Sequence, residues 1–158
     1  MPKRTKYFLT TVITLSLFVI AALAIMSLTS SRPDNLGVHN GQLATCPSSP
    51  NAVSTQATDL QHKISAIPLQ QPAEQAIARL QAIISEFPNT KIISHNNVYL
   101  HAEFTSTIFR FVDDVEFFCD TSTQLIHFRS ASRVGHSDFG VNRNRMQQIA
   151  AAYLEAQQ

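Results

Sequence analysis

Tryptophan is absent from this 158-residue chain, and cysteine and glycine are scarce, with two and four residues. Two cysteines are too few for a disulfide-rich miniprotein. Charged residues make up 15% and hydrophobic residues 44% of the sequence, a balance too apolar for a disordered chain. The 12 Lys and Arg residues nearly match the 11 Asp and Glu residues. This balance excludes a nucleic-acid binder that relies on a strongly basic surface.

Charge is missing altogether from residues 7–31, which are mostly apolar. A helix of that length measures roughly 37 Å, and the hydrocarbon core of a bilayer is about 30 Å thick. The stretch therefore predicts a single-pass transmembrane anchor. Lys3, Arg4 and Lys6 lie in the basic end formed by residues 1–6, which the positive-inside rule places in the cytoplasm.

A cleaved signal peptide is the alternative, with Ala22-Leu23-Ala24 as its cleavage site. Signal peptides have apolar runs of about 7–15 residues, so the longer run favours an uncleaved signal anchor. In either case residues 32–158 are exported. We therefore expect a protein of the cytoplasmic (inner) membrane, with its C-terminal domain on the periplasmic or outer side.

Beyond the anchor, residues 32–70 are rich in Pro, Ser, Thr, Asn and Gln, which predicts an extended tether and irregular wrap. Residues 71–158 are more regular. Apolar residues at three-to-four spacing predict one helix between Pro72 and Pro88 and a second at the end of the chain, with Asn142 as its expected N-cap. Between them, short alternating segments predict strands with short links. We predict an α+β domain in which two helices cover one antiparallel sheet of about four to five strands.

Ten ionic residues lie between Arg110 and Arg145, five of each sign and none of them Lys. Guanidinium groups pair with carboxylates through two parallel hydrogen bonds. We therefore expect these side chains to meet in a self-neutralising network that fixes strand and loop geometry. The acidic residues that we assign to this structural charge network are Asp113, Asp114, Glu116 and Asp138.

Two of the arginines, Arg143 and Arg145, fall in the first turn of the last predicted helix. The helix dipole disfavours a cation there by about 0.3–1 kcal/mol, so a negative charge should offset it. Neighbouring acids could supply that charge, and so could an external phosphate or carboxylate bound at the helix start. The hypothetical anion site comprises Arg129, Arg133, His136, Asn142, Arg143 and Arg145.

A metal-assisted hydrolase is an alternative, because Asp113, Asp114 and Glu116 offer the hard oxygen ligands that metal ions bind. His101 or His136 could add a nitrogen ligand. Adjacent residues of a strand point to opposite faces, however, and the spacing matches no standard metal-binding loop. Residues 136–138 have the residue types of a catalytic triad, but triads are assembled from residues apart in sequence. We therefore assign no catalytic residue, no metal and no cofactor.

Cys46 and Cys119 are the only thiols, and an exported domain permits a bridge between them. The alternative is two unpaired thiols, with Cys119 as a small buried apolar residue. Both interpretations stay open on the residues alone.

Several strings in the sequence resemble the domain of unknown function 1499 family. They are CPSSPN at residues 46–51, DDVEF at 113–117, and RSASRVG followed by SDFGVNR within 129–143. The resemblance extends from about residue 43 to 156. It implies a small exported or membrane-anchored domain, found in bacteria and plastid-bearing organisms, with no established activity. Family members often have a second Cys where this chain has Ala52, so the resemblance leaves Cys119 as the one internal partner for Cys46, or no bridge.

The function that we expect is that of a membrane-anchored envelope protein, a non-enzymatic binding or interaction module built on the Arg–carboxylate cluster. Its expected partners are the membrane, through residues 7–31, and a small anionic ligand or an envelope protein. One alternative is the hydrolase that uses Asp113, Asp114 and Glu116. The other is a purely structural partner domain of a membrane complex.

Overall fold

The computed structural model describes residues 3–156, which form three helices and six strands. In chain order these are α1 Lys3–Leu28, β1 Ala52–Ser54, β2 Ile67–Pro68, α2 Ala73–Ser85, β3 Thr90–His95, β4 Tyr99–Thr105, β5 Val112–Asp120, β6 Leu125–Ser132 and α3 Val141–Glu155. Residues 1, 2, 157 and 158 belong to the predicted basic end and to the end of the predicted domain, and they lie outside the described residues.

The N-terminal apolar helix predicted from the sequence is confirmed. Helix α1 runs without a break over 26 residues. Within residues 3–156 it is the one helix that is long and apolar enough to cross a membrane. A signal sequence near an N-terminus can meet the same criteria of length and apolar composition.

The predicted antiparallel sheet is also confirmed, together with the α+β architecture. The strands lie in the order β1-β6-β5-β4-β3, and β2 pairs with β6 beside this path. All of the strand pairs are antiparallel. Strands β1 and β2 are short, and they come from the stretch in which the composition predicts an irregular wrap. They pair with β6 along the same edge, so residues 52–68 close one side of the sheet.

One face of the sheet carries the hydrophobic core. Because side chains alternate between faces along a strand, Leu100 and Phe104 of β4, Phe117 of β5 and Phe128 of β6 all point the same way. Helices α2 and α3 cover this face with their own apolar residues, among them Leu80, Ile84, Met146 and Ile149. Full burial of one such side chain contributes about 1.5–3 kcal/mol. Because the core occupies this face, the opposite face of the sheet is the one left free of the helices.

The start of α3 differs from the predicted one. The helix begins at Val141 after Gly140, whose φ is 82°. Asp138 supplies the side-chain acceptor: its Oδ2 accepts from the Asn142 N–H at 2.7 Å and its Oδ1 from the Gly140 N–H at 3.0 Å. Asn142 is therefore not the N-cap. A carboxylate at a helix start satisfies free N–H groups and favours the positive end of the dipole, and Asp138 occupies that position.

Asn142 instead points into the protein and fastens α3 to the sheet. The side chain is fully buried. Its Nδ2 donates to the Asn51 carbonyl and to Ser132 Oγ, each at 3.1 Å. Its Oδ1 accepts from Ser130 Oγ and from Arg145 Nη1. The amide group thus has two donated and two accepted hydrogen bonds, which join α3, β6 and the residue before β1.

We predict that Asn142→Ala lowers the free energy of unfolding by about 2–4 kcal/mol, because it leaves buried partners unsatisfied. The control is Asn144→Ala in the same helix, where Asn144 is exposed. Alanine raises helix propensity at both positions, so the control isolates the buried network. Urea unfolding of the full chain in mild detergent measures the difference. Equal stabilities of the two variants would contradict this role of Asn142.

Candidate functional site

The face of the sheet opposite to the helices carries a buried group of ionisable side chains. His101 and Glu103 of β4 lie on this face with Asp114 and Glu116 of β5 and Arg129 of β6. Glu103 lies directly across from Asp114, and Glu116 lies across from Arg129. The carboxylates of Glu103 and Asp114, which lie opposite each other, repel. Cations from residues outside these two strands are therefore needed to neutralise them.

Arg133, just after β6, supplies the first of these cations. Its Nε donates to Asp114 Oδ2 and its Nη2 to Asp114 Oδ1, both at 2.8 Å, and Nη2 also donates to Glu103 Oε1. His101 Nε2 lies 2.9 Å from Asp114 Oδ1. The two-pronged geometry suits a planar guanidinium and not an ammonium group. Arg133 therefore joins the two opposed strands through their acids.

Arg32 provides a second cation from the segment that follows α1. Its Nε donates to Glu103 Oε1 at 3.0 Å, and its side chain remains about half exposed. Burial would raise the pKa of Glu103, but the hydrogen bonds from Arg32 and Arg133 outweigh it and hold this pKa below its ordinary value. At Asp114 burial also acts to raise the pKa, and the bonds from Arg133 and His101 lower it overall. Both acids are therefore ionised at neutral pH.

Glu116 forms a second polar centre two residues farther along β5. It is fully buried. Its Oε1 accepts from the Gly37 N–H at 2.7 Å and from the Tyr99 hydroxyl at 2.8 Å. Burial first, and then the negative charge of Glu116, raise the pKa of Tyr99 well above its ordinary value. The hydroxyl thus stays protonated and serves as a donor to the carboxylate.

Arg129 is the least satisfied member of this face. It is only 6% exposed, and its Nη1 lies 3.5 Å from Glu116 Oε2, a long separation for a charged hydrogen bond. Among the described residues, Arg129 Nε is buried without a hydrogen-bond partner. A buried guanidinium N–H without an acceptor is costly. Arg129 is therefore less completely hydrogen-bonded than Arg133 on the same face.

A pocket of about 340 Å3 opens beside Arg129. Its floor is the sheet, with Asp114, Arg129 and Arg133, and its roof is the covering segment, which we define as residues 32–47. Pro33, Asn35, Thr45, Cys46 and Pro47 line the pocket from that roof. The pocket is large enough for a small polar molecule, and it presents two guanidinium groups to that molecule.

The remaining residues of the hypothetical anion site lie elsewhere. Arg145 contacts the helix-covered face, where its Nη2 donates to Asp113 Oδ2 at 2.7 Å and its guanidinium lies 4.5 Å from the centre of the Phe104 ring. Arg143 donates to the carbonyls of Gln61 and Lys63, at 2.8 and 2.9 Å. His136 is exposed. Asn142 is buried between α3 and the sheet. Of the six residues, only Arg129 and Arg133 line the pocket.

The acidic set of the hydrolase alternative does not converge. Asp113 pairs with Arg145 on one face of β5, whereas Asp114 and Glu116 lie on the other face. A different group, His101, Glu103 and Asp114, has ligand atoms within 4.8 Å of one another. Arg133 and Arg32 already pair with these two carboxylates, through Glu103 Oε1 and both oxygens of Asp114. A metal ion would have to displace these guanidinium groups.

Both cysteines are free thiols, and they lie on opposite faces of the sheet. Cys119 belongs to the apolar core, whereas Cys46 lines the pocket. Burial raises the pKa of Cys119 to about 12. Burial also raises the pKa of Cys46, against an opposing effect of Arg129. Neither is a ready nucleophile, because the thiolate is the reactive form. The structure therefore has no disulfide bond between Cys46 and Cys119.

Three residues of the polar face, Tyr99, Glu103 and Arg32, were missed from the sequence. Tyr99, His101 and Glu103 alternate with the apolar residues of a predicted strand, and that alternation could have placed them beside Asp114 and Glu116. Arg32 gave no comparable signal, because it lies in the segment predicted as a tether.

Together these features define a class: a small α+β domain behind an apolar helix, with a polar, charge-paired face under an irregular covering segment. The sequence model of the family described as "Protein of unknown function (DUF1499)" matches residues 42–153. The chain therefore belongs to this family. No curated protein matches the chain.

The paired acids predict an acid-sensitive stability. Carboxylates whose folded pKa is depressed stabilise the fold above their ordinary pKa, and the contribution is lost as the pH falls through the folded value. The ordinary values are 4.5 for Glu103 and 3.8 for Asp114. We therefore expect the free energy of unfolding to decrease progressively as the pH drops from about 4.5 to below 3.8.

The variant Arg133→Gln tests whether pairing with Arg133 is the cause of this acid-sensitive stability. It should lower stability at pH 7 by about 3 kcal/mol, because it leaves buried acids without their cation, and it should flatten the decline at acid pH. Arg32→Gln, which removes the exposed partner of Glu103, should lower it by about 1 kcal/mol or less. Urea unfolding between pH 7 and pH 3 measures both variants. A decline for Arg133→Gln as steep as that of the wild type would refute this assignment.

The thiol environments predict two different alkylation rates. In the folded chain at pH 7, iodoacetamide should modify Cys46 slowly and leave Cys119 unmodified, since Cys119 is buried and its pKa is raised. In the unfolded chain without reductant, both residues should be modified, as mass spectrometry would record. An unfolded, unreduced chain that resists alkylation at both positions would instead reveal a bridge.

Proposed function

We propose that this chain is a single-pass, membrane-anchored envelope protein whose α+β domain binds a small anionic ligand and does not catalyse a reaction. Helix α1 is the anchor, with the basic residues Lys3, Arg4 and Lys6 on the cytoplasmic side by the positive-inside rule. The domain then lies on the periplasmic or outer side. The length and apolar character of α1 support this arrangement.

The observation that carries the binding proposal is the state of Arg129. Its guanidinium is buried at the wall of a pocket, its Nε has no acceptor within residues 3–156, and its nearest carboxylate oxygen is 3.5 Å away. A phosphate or carboxylate group offers a planar pair of oxygens that matches the guanidinium fork. Such a ligand at the pocket wall would give the Arg129 guanidinium a closer acceptor than Glu116 provides.

The surroundings favour binding over chemistry. Arg133 contributes a second positive group, yet it is fixed to Asp114 and Glu103, so the pocket is preorganised and nearly neutral as a whole. Asp114 and Glu103 are held ionised by arginines and therefore make poor proton donors. Cys46 carries a thiol whose pKa is raised, not lowered. Groups tuned for acid–base or nucleophilic work show the opposite shifts.

Titration of the full chain in mild detergent with inorganic phosphate, and separately with acetate, tests the proposal. We expect saturable heat of binding for at least one of the two anions in isothermal titration calorimetry. Arg129→Gln should weaken that binding by about 10-fold or more, since a charged hydrogen bond is worth about 1.5–3 kcal/mol. The phosphate arm distinguishes phosphoryl ligands from carboxylates.

Arg143→Gln is the matched control, because Arg143 lies outside the pocket and contacts only backbone carbonyls. It should bind the anion as the wild type does. Circular dichroism of both variants confirms that they are folded. If neither anion binds the wild type, or if the two variants lose binding equally, the pocket is not an anion site and the charged face serves as scaffold alone.

A further inference from the structure

The exposed apolar side chains of the domain are concentrated at one end. Outside α1, five large hydrophobic residues are exposed in the described part of the chain: Leu60, Ile108, Phe139, Val141 and Leu154. Three of these five, Ile108, Phe139 and Val141, line the same cavity. Phe139 is 95% exposed and Ile108 is 81% exposed. A cluster of this kind indicates a contact surface, in contrast to single scattered hydrophobic residues.

This cavity lies where α1 meets the domain. It has a volume of about 600 Å3 and a largely apolar lining that includes Leu23 and Met26 of α1. Ser27 Oγ donates a hydrogen bond of 2.7 Å to the Arg110 carbonyl, which holds the loop at residues 106–111 against the helix end. The loop at residues 134–141 forms the other wall. We call this region, formed by the two loops and the last turns of α1, the junction surface.

The depth of α1 in a bilayer places the junction surface at the lipid boundary. Charge-free sequence begins at Tyr7, and about 20 helical residues cross a hydrocarbon core of about 30 Å. A span that starts at Tyr7 therefore ends near Met26. Leu23 then lies inside the hydrocarbon region, and whatever packs beside Leu23 and Met26 lies at the same depth. The two loops do so.

The polar atoms near the surface are compatible with this position. The two acids in the lining already have partners: Asp113 pairs with Arg145, and Asp138 accepts from backbone N–H groups at the start of α3. Arg110 is exposed beside Ile108, where a cation can approach anionic lipid headgroups. Phe139 is held outward at φ 54°, a conformation that is uncommon for a bulky residue.

We propose that the junction surface is a lipid-binding surface. Ile108 and Phe139 enter the outer leaflet of the membrane that α1 spans, and a phospholipid acyl chain occupies the cavity. The inference rests on the membrane anchoring proposed above. Apolar side chains and acyl chains leave water together, so the same burial fills the cavity and seats the domain on the bilayer.

Tryptophan fluorescence tests this directly, because the chain contains no Trp. The full chain is reconstituted in vesicles of phosphatidylcholine and phosphatidylglycerol, either plain or with brominated acyl chains that quench nearby Trp. Three single variants are compared: Phe139→Trp at the junction surface, Phe18→Trp within α1, and Asn97→Trp as the control. Asn97 is exposed in the β3–β4 turn, at the opposite end of β4, roughly 20 Å away along the strand.

We expect Phe18→Trp and Phe139→Trp to show blue-shifted emission and a loss of intensity in brominated vesicles, while Asn97→Trp shows neither. Quenching of Phe18→Trp without quenching of Phe139→Trp would leave the anchor intact and overturn the lipid-binding surface. Equal quenching of Phe139→Trp and Asn97→Trp would also overturn it, because the contact would then not be confined to the junction. An unquenched Phe18→Trp would overturn the anchoring itself, and the inference with it.

Discussion

The bond between Arg133 and Asp114 is the interaction on which the polar side of this protein depends. Strand pairing places Glu103 opposite Asp114, so a partly buried carboxylate and a buried one face each other on adjacent strands. Without a cation between them, their repulsion would oppose the register that the apolar face requires. The planar guanidinium group of Arg133 forms ion pairs with both carboxylates. The charge-paired face and the hydrophobic core therefore select the same strand register.

The strings that mark the family are distributed over both faces. Residues 46–51 end at Asn51, which accepts from the Asn142 amide of α3. Asn51 also donates to the Gly135 carbonyl at 2.7 Å. These contacts tie the string before β1 to the string after β6. The string at 113–117 alternates its acids between Arg145 on one face and Arg133 on the other. The motifs thus act together to join strands and helices that are far apart in the sequence.

Much of the architecture could be predicted from the sequence, because α2 and β4 follow local periodicities that burial imposes. The short strands β1 and β2 could not, since they exist only through pairing with β6, far along the chain. The hypothetical anion site illustrates a further limit of prediction from the sequence. Alternation shows that Asp113 and Asp114 diverge, but it does not say which arginine comes to which face. The sequence does not distinguish Arg143 from Arg129, and only the fold leaves Arg143 half-buried and Arg129 buried.

The roof of the pocket has a mechanical consequence. Arg32, which binds Glu103, follows the last residue of α1 by four positions, and four residues of extended chain reach at most about 14 Å. The covering segment that roofs the pocket is therefore also the part of the chain that connects the domain to α1. The connection to α1 and the roof of the pocket share one continuous length of chain, so a movement of the domain on its helix would also displace that roof.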